Sequence, residues 1–229
     1  SNHLKIDDNK ITFADHSSTH AAYAYYSGSL NGKKALVLTL DAYGDKANNT
    51  VRVFNPQKKN YEKIISKSQS SIIARLYRYT TLVLNLKPDN HEYKVMGLAA
   101  YSKKEYTKKL FNELLNLQDV KGINFIFNKK PKDLYFFLQK ISKGERFDNI
   151  AGAVQYYTEY LCKKFVRNAV NISKINNVCF AGGVAMNVKS NLVISKERKI
   201  SRFYVPFAPD DNSLSIGACY ITQKNNINK

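Results

Sequence analysis

The stretch that most constrains this chain is residues 177–191, NVCFAGGVAMNVKSN. Residues 178–181 form a short apolar run with a β-branched residue and an aromatic, which suits a strand buried on both faces. Gly182 and Gly183 follow at once, and residues 184–193, free of glycine and proline, predict a helix. Strand, Gly-Gly turn and helix together let a backbone approach a nucleotide: no Cβ stands in the way, and helix N–H groups point at the ligand. The same pattern also fits a tight turn that packs and binds nothing, since glycines are common at such turns.

The segments around it read as an α/β protein. Residues 14–26 begin polar and become Ala/Tyr-rich at 21–26, predicting a helix that ends near Gly28. Residues 34–41, KALVLTLD, are a near-continuous apolar run closing on a carboxylate, the clearest strand of the first half. After a turn at 42–49, residues 50–54 alternate like the second arm of a hairpin, and 61–66 read as a third strand. Helices are expected over 71–86 and 93–101, and over 105–117 and 132–141 around a strand at 123–127. The block 102–147 has the highest lysine density and reads as a helical insertion. Residues 149–172 carry one apolar stripe and predict a long helix, 200–205 a strand and 213–222 a closing helix. Helix, strand, helix, strand, helix is the order of a sheet with helices on its faces.

A length of 229 residues allows one large or two small domains with a substantial core. No apolar run is long enough to span a bilayer, so a soluble protein with no membrane partner is expected. Cys162, Cys179 and Cys219 have no metal or redox spacing and read as reduced core thiols of a cytoplasmic protein. Ser1-Asn2 reads as a cloning scar, with no secretory segment behind it. A net charge of +18 invites a nucleic-acid partner, but 29 of the 36 basic residues are lysines spread over nearly every polar segment. No arginine-rich helix or aromatic RNA-binding signature accompanies them, which argues against that partner.

Several residues could carry chemistry. His16 and His20, in DHSSTHAA, are four apart, and on a helix that spacing puts two imidazoles on one face, the geometry of a divalent-metal pair. Two unrelated surface histidines would look the same. Asp41 and Asp45 bracket LDAYGD at a strand end, where a carboxylate can hold a metal or orient a phosphate, or simply close an Asx-type turn. Two imidazoles with one or two carboxylates suit iron, zinc or manganese. Asp210, Asp211 and Asn212 precede a helix and form a natural N-cap cluster. Lys94, in the otherwise apolar EYKVMGLA, either reaches a phosphate or snorkels to solvent. Cys179 lies in a buried strand, a poor place for a nucleophile.

Taken together, DHSSTHAA, LTLDAYGD, EYKVMGLAAY, IAGAVQYYTE, FAGGVAMNVKSN and VPFAPDDNSLSIGA resemble the carbamoyltransferase family of the NodU/CmcH type, in the family's order from about His16 to Ala218. The resemblance implies the actin/Hsp70-like ATPase fold, two ribonuclease H-like halves around a nucleotide cleft. It implies that carbamoyl phosphate and ATP give a carbamoyl-adenylate, whose carbamoyl group passes to an acceptor hydroxyl at an iron-type metal. By motif position His16, His20, Asp41 and Asp211 would be the metal ligands. Gly182, Gly183 and Asn187 would line the adenosine pocket, with Gly44 and Asp45 near the phosphate. The chain departs from the family pattern in having Ser17 after His16, Ala42 and Ala100 where glycine and proline are usual, and Asn212 and Ser213 where Asp-Gly is common.

The resemblance also implies a further N-terminal segment and a C-terminal YrdC-like domain that makes the adenylate. Neither is in these 229 residues, so the expectation is an actin-like core incomplete at its N-terminus: a fragment, a split subunit or a degenerate copy. An open sheet edge would then favour self-association or docking of the missing domain. The expected activity is O-carbamoyl transfer to a sugar or secondary metabolite. Threonylcarbamoyl transfer to tRNA and a non-catalytic nucleotide-binding remnant are the alternatives, and EYKVMGLA speaks against the tRNA-modifying branch.

Overall fold

The computed structural model describes residues 6–58 and 62–227, so Ser1-Asn2 and the expected strand start at Tyr61 lie outside the described residues. In chain order come helix α1 (His16–Tyr26), strands β1 (Ala35–Leu40), β2 (Asn49–Phe54) and β3 (Glu62–Ser68), and helices α2 (Ile73–Val83) and α3 (Glu92–Leu98). Helix α4 (Lys104–Leu117), strands β4 (Gln118–Lys121) and β5 (Asn124–Phe127), and helices α5 (Leu134–Ser142) and α6 (Phe147–Ser173) follow. The chain closes with β6 (Asn177–Ala181), α7 (Val188–Ser195), β7 (Arg202–Tyr204) and α8 (Leu214–Ile227).

Strand β1 is buried along its whole length because it sits at the centre of a five-stranded sheet of order β3-β2-β1-β6-β7. The hairpin partners β2 and β3 run antiparallel; β6 pairs parallel with β1, and β7 with β6. The strand period of two sorts the side chains into two cores. Leu36, Leu38 and Leu40 join Val51, Val178 and Phe180 on the face covered by α6 and α2. Ala35 and Val37 join Phe54, Cys179 and Ala181 on the other, under Ala21, Ala24 and Tyr25 of α1. Helix α8 packs on α1 so closely that a Cβ on Gly217 would lie 2.1 Å from the Thr19 carbonyl oxygen. The result is helices on both faces of a mixed sheet, as the element order predicts.

Four local features add to the sequence reading or depart from it. The helix expected over 184–193 is broken: residues Gly183–Met186 form a 3-10 turn, and α7 starts only at Val188, because extended Asn187 caps it by accepting from Ser190 N. Strand β4 pairs with β5 although its sequence is polar; its Gln118 is fully buried and fastens Ser70 and Ile72 through its amide. Within 102–147, Leu114, Val120, Phe125 and Leu138 belong to the same buried cluster as Leu36 and Phe165. Finally, Cys162 and Cys179 are buried but Cys219 is exposed, so only two of the thiols are in the core. Among the described residues no helix is long and apolar enough to cross a membrane.

Candidate metal centre

The site lies where β1 and β6 end. Helix α1 begins there, with Asp15 as its N-cap accepting from Ser18 N at 3.0 Å. The helical repeat brings His16 and His20 onto one face, their Nε2 atoms 3.1 Å apart. Asp41, the first residue after β1, points Oδ2 at His20 Nε2 (3.0 Å) and toward His16 Nε2 (3.6 Å). Asp211, in the turn before α8, brings Oδ1 to 3.2 Å from His20 Nε2 and 3.6 Å from His16 Nε2. All four atoms lie within 4.8 Å of one another.

This donor set fits a cation. With metal–ligand bonds near 2.1 Å, tetrahedral donors sit roughly 3.4 Å apart. The histidine–carboxylate separations of 3.0–3.6 Å bracket that spacing. Two neutral imidazoles and two carboxylates also leave two negative charges for a divalent ion to balance. His20 is 1% exposed, and its other nitrogen, Nδ1, is buried without a hydrogen-bond partner, so its ring orientation rests on the Nε2 contacts. The Asp211 side chain is 68% exposed, which leaves the cluster open to solvent on that side.

The electrostatics agree. The contact with Asp41 is the main influence raising the His16 imidazole above its ordinary value, against burial and helped by the charges of Asp41, Asp211 and Asp45. Burial works to raise the Asp41 carboxyl, but its contacts with His16 and His20 outweigh it and hold the group well below the usual carboxylate range. A cation would compete with the proton that these surroundings favour on His16.

The remaining predicted residues stand in different relations to the four donors. Asp45 Oδ2 accepts from His16 N at 2.8 Å and so ties down the first turn of α1. Gly44 lies in the tight turn before it; a Cβ there would be 2.1 Å from the Ala47 carbonyl oxygen and 3.5 Å from His16 Cδ2. Asp41 is oriented by Ala42 N (2.6 Å) and by Gly183 N (3.1 Å), so the Gly-Gly turn is bonded to the carboxylate. Gly182 has φ +90°, and a Cβ on it would lie 2.2 Å from the Leu40 carbonyl oxygen; its N–H donates to Pro209 in the loop that leads to Asp211. The close approach that this glycine permits is therefore to β1 itself.

Asn187 pairs amide to amide with Gln155 at 2.9 and 3.1 Å, and Tyr77 donates to the same Gln155 oxygen at 2.6 Å. Lys94 turns to His91, with Nζ 3.2 Å from Nε2, and has no contact with the four-donor cluster. In the cap cluster before α8 the Asp210 and Asp211 side chains make no capping bond; Asp211 is drawn to His20, and Asp210 is held by Asn212. Sequence reasoning missed Asp15, Arg52 and Gln155. An Asp immediately before a helical run was the available signal for the first; the other two depend on contacts from distant segments. Cavities of about 700 and 340 Å3 lie elsewhere, the first lined by residues such as Leu84 and Phe136, the second by Lys163 and Arg198.

Comparison with known proteins gives the fold and the family. The chain is 26% identical over 223 residues to an uncharacterised protein of Synechocystis sp., covering 91% of this chain and 36% of that protein. A Methanocaldococcus jannaschii protein, also uncharacterised, is 29% identical over 204 residues, covering 87% and 39%. Nodulation protein NolNO of Sinorhizobium fredii is 26% identical over 219 residues, covering 93% and 31%. The chain thus spans between 31% and 39% of the length of these relatives. Among solved structures it is similar to the activator of 2-hydroxyisocaproyl-CoA dehydratase from Clostridium difficile with bound ADPNP, with a TM-score of 0.55 at 12% identity over 97% of this chain and 73% of that one. Full-length HypF in its phosphate- and nucleotide-bound form aligns with a TM-score of 0.53 at 13% identity over 97% of this chain and 44% of that one. The fold is the actin-like ATPase fold. The family described as Carbamoyltransferase N-terminus matches residues 2–220, and the chain belongs to that family.

Proposed function

We propose that this chain is the core of an O-carbamoyltransferase that passes a carbamoyl group from carbamoyl-adenylate, made from carbamoyl phosphate and ATP, to a hydroxyl of a sugar or secondary metabolite. The observation that carries the reading is the intact set of four donors at the open end of the sheet in a member of a carbamoyltransferase family. His16, His20, Asp41 and Asp211 would hold a divalent cation, for which iron, zinc and manganese are the suitable ions. When bound, such an ion supplies Lewis-acid polarisation of a carbamoyl or phosphoryl oxygen.

The protein's own groups do the rest by position. Ala42 N and Gly183 N fix both oxygens of Asp41, so this carboxylate stays ionised and does not swing. Gly182, Gly183 and Asn187 would line the adenosine pocket, with Asn187 held in place by its paired amide bonds to Gln155. Gly44 and Asp45 would lie against the phosphate, and Lys94 would reach it by leaving His91. Nucleotide is bound in the activator and HypF structures, which supports a nucleotide role here.

The test supplies synthetic carbamoyl-adenylate to the divalent-loaded chain and follows AMP release and carbamoylation of hydroxylated acceptors by mass spectrometry. Acceptor-dependent turnover that is lost in Asp41→Asn is the expected result. A chain that takes up neither a divalent cation nor an adenylate contradicts the reading and points to a non-catalytic module.

A further inference from the structure

Arg52 on β2 is the bulkiest of the fully buried side chains among the described residues, at 1% exposure. We propose that it is a positioning residue: it clamps the first turn of α1 to the sheet so that His16 and His20 present Nε2 toward Asp41 and Asp211. The inference rests on the reading of those four residues as a cation site.

Strand β2 holds α1 at two points. Thr50, Arg52 and Phe54 face α1, whereas Val51 and Val53 face the α6 side. Near the end of α1 the hold is apolar, with Tyr25 stacked on Phe54 at 4.5 Å between ring centroids. At the start of α1 it is polar. Arg52 Nη2 donates to Ser17 Oγ at 2.8 Å, and Ser17 Oγ donates to the N-cap carboxylate of Asp15 at 2.6 Å. Nη1 donates to Glu62 at 2.5 Å, and Nε donates to Thr50 Oγ1 at 3.2 Å, which shares a proton with Thr39 Oγ1 at 2.7 Å. Lys67 closes the ring from β3 by donating to Asp15 at 2.7 Å. One guanidinium therefore connects β1, β2 and β3 to the residues on either side of His16.

A buried ion pair is poor evidence for stability alone, since an apolar residue of similar volume often does as well. Its better-attested use is to specify one arrangement, and the planar fork of arginine does this where a lysine cannot. The first turn of α1 gives it that task. His16 and Ser18 lie on either side of Ser17, and Ser17 is the residue that Arg52 grips.

The experiment compares wild type with Arg52→Lys, Arg52→Met, Ser17→Ala and Val51→Ala. Val51→Ala is the control, a core truncation on the same strand facing away from α1. Co2+ affinity is measured by competition with a chelator, and amide hydrogen exchange of Ser18 and Thr19 is measured in the metal-free protein. Arg52→Lys should weaken Co2+ binding roughly tenfold, as losses beyond the immediate ligands do, and should speed exchange of those two amides. Val51→Ala should lower the thermal midpoint while leaving both close to wild type. If the arginine variants do not fold, Ser17→Ala decides, because it keeps the Arg52–Glu62 pair and removes the hydroxyl through which Arg52 reaches Asp15 and the first turn of α1; a weaker Co2+ affinity is expected. Wild-type affinity in Arg52→Lys or Ser17→Ala overturns the proposal. If the wild-type protein takes up no divalent cation, the cation reading fails, and unchanged protection of Ser18 and Thr19 in Arg52→Lys would separately overturn the clamp.

Discussion

Replacing Gly182 by alanine tests how the Gly-Gly turn is built. Gly182 has φ +90° and ψ 165°, a region that essentially only glycine occupies. Holding an alanine there costs about 1–3 kcal/mol. The new Cβ would also sit 2.2 Å from the Leu40 carbonyl oxygen and 2.7 Å from its carbon, both backbone atoms of the central strand. Neither can rotate away, so β1 and β6 must part, a form of overpacking that costs about a further 1–3 kcal/mol. The sum, roughly 2–6 kcal/mol, is a large share of the 5–15 kcal/mol that holds a typical domain. Gly183→Ala is the internal contrast. Its Cβ would meet only the Asp41 carboxylate, Oδ1 at 3.3 Å and Cγ at 3.9 Å, and its φ is not in the left-handed region. Less than about 1 kcal/mol is expected there, the range of a substitution that meets no special feature. Urea denaturation of both variants, with the slope checked for a shared two-state transition, measures the difference. Equal losses, or a larger loss at Gly183, would refute the claim that Gly182 is glycine because of β1.

Other outcomes follow from the same contacts. Gly217→Ala should gain about 0.5–1 kcal/mol of helix propensity. It should nevertheless destabilise on balance, because its Cβ would lie 2.1 Å from the Thr19 carbonyl oxygen; a rise in the urea midpoint would count against the α1–α8 packing. In the metal-free protein His16 has a folded pKa above its ordinary value of 6.5, so its contribution to stability is complete below that pH and is lost as pH rises through the raised value. Asp41, depressed from 3.8, contributes above that value and loses its contribution as pH falls through the depressed one. The thermal midpoint of wild type should therefore decline on the alkaline side more than that of His16→Gln, and an added divalent cation should reverse the slope, because imidazole binds metal in its neutral form. Burial pushes the Cys162 and Cys179 thiols up to about 12, while Cys219 is exposed. A thiol reagent near pH 8 should therefore titrate Cys219 rapidly in the native protein and the two buried cysteines only after denaturation.

The central strands were legible because burial on both faces writes a continuous apolar run. Residues 34–41 and 178–181 read as strands for that reason, and the strands found there lie side by side in the sheet. The helical spacing of His16 and His20 was equally plain, since a period of 3.6 depends on nothing outside the helix. What escaped depends on partners far along the chain. Asn187 looks like any polar residue in a helical run until Gln155, 32 residues earlier, is seen to hold its amide. The alternation of TVRVF marked a hairpin arm but gave no sign that α1 covers one of its faces and buries Arg52. Gln118 in polar QDVK became a fully buried anchor in the same way. Cys219 erred in the opposite sense: an apolar sequence context did not mean an inward-facing position on α8.

The claim on which everything else depends is that His16, His20, Asp41 and Asp211 hold one cation in common. Elemental analysis of the chain after loading with a divalent metal and gel filtration tests it directly. The account predicts one ion per wild-type chain, with the ion lost when either His16→Ala or Asp211→Ala removes a donor from opposite ends of the sequence. Wild-type stoichiometry in both variants would contradict it.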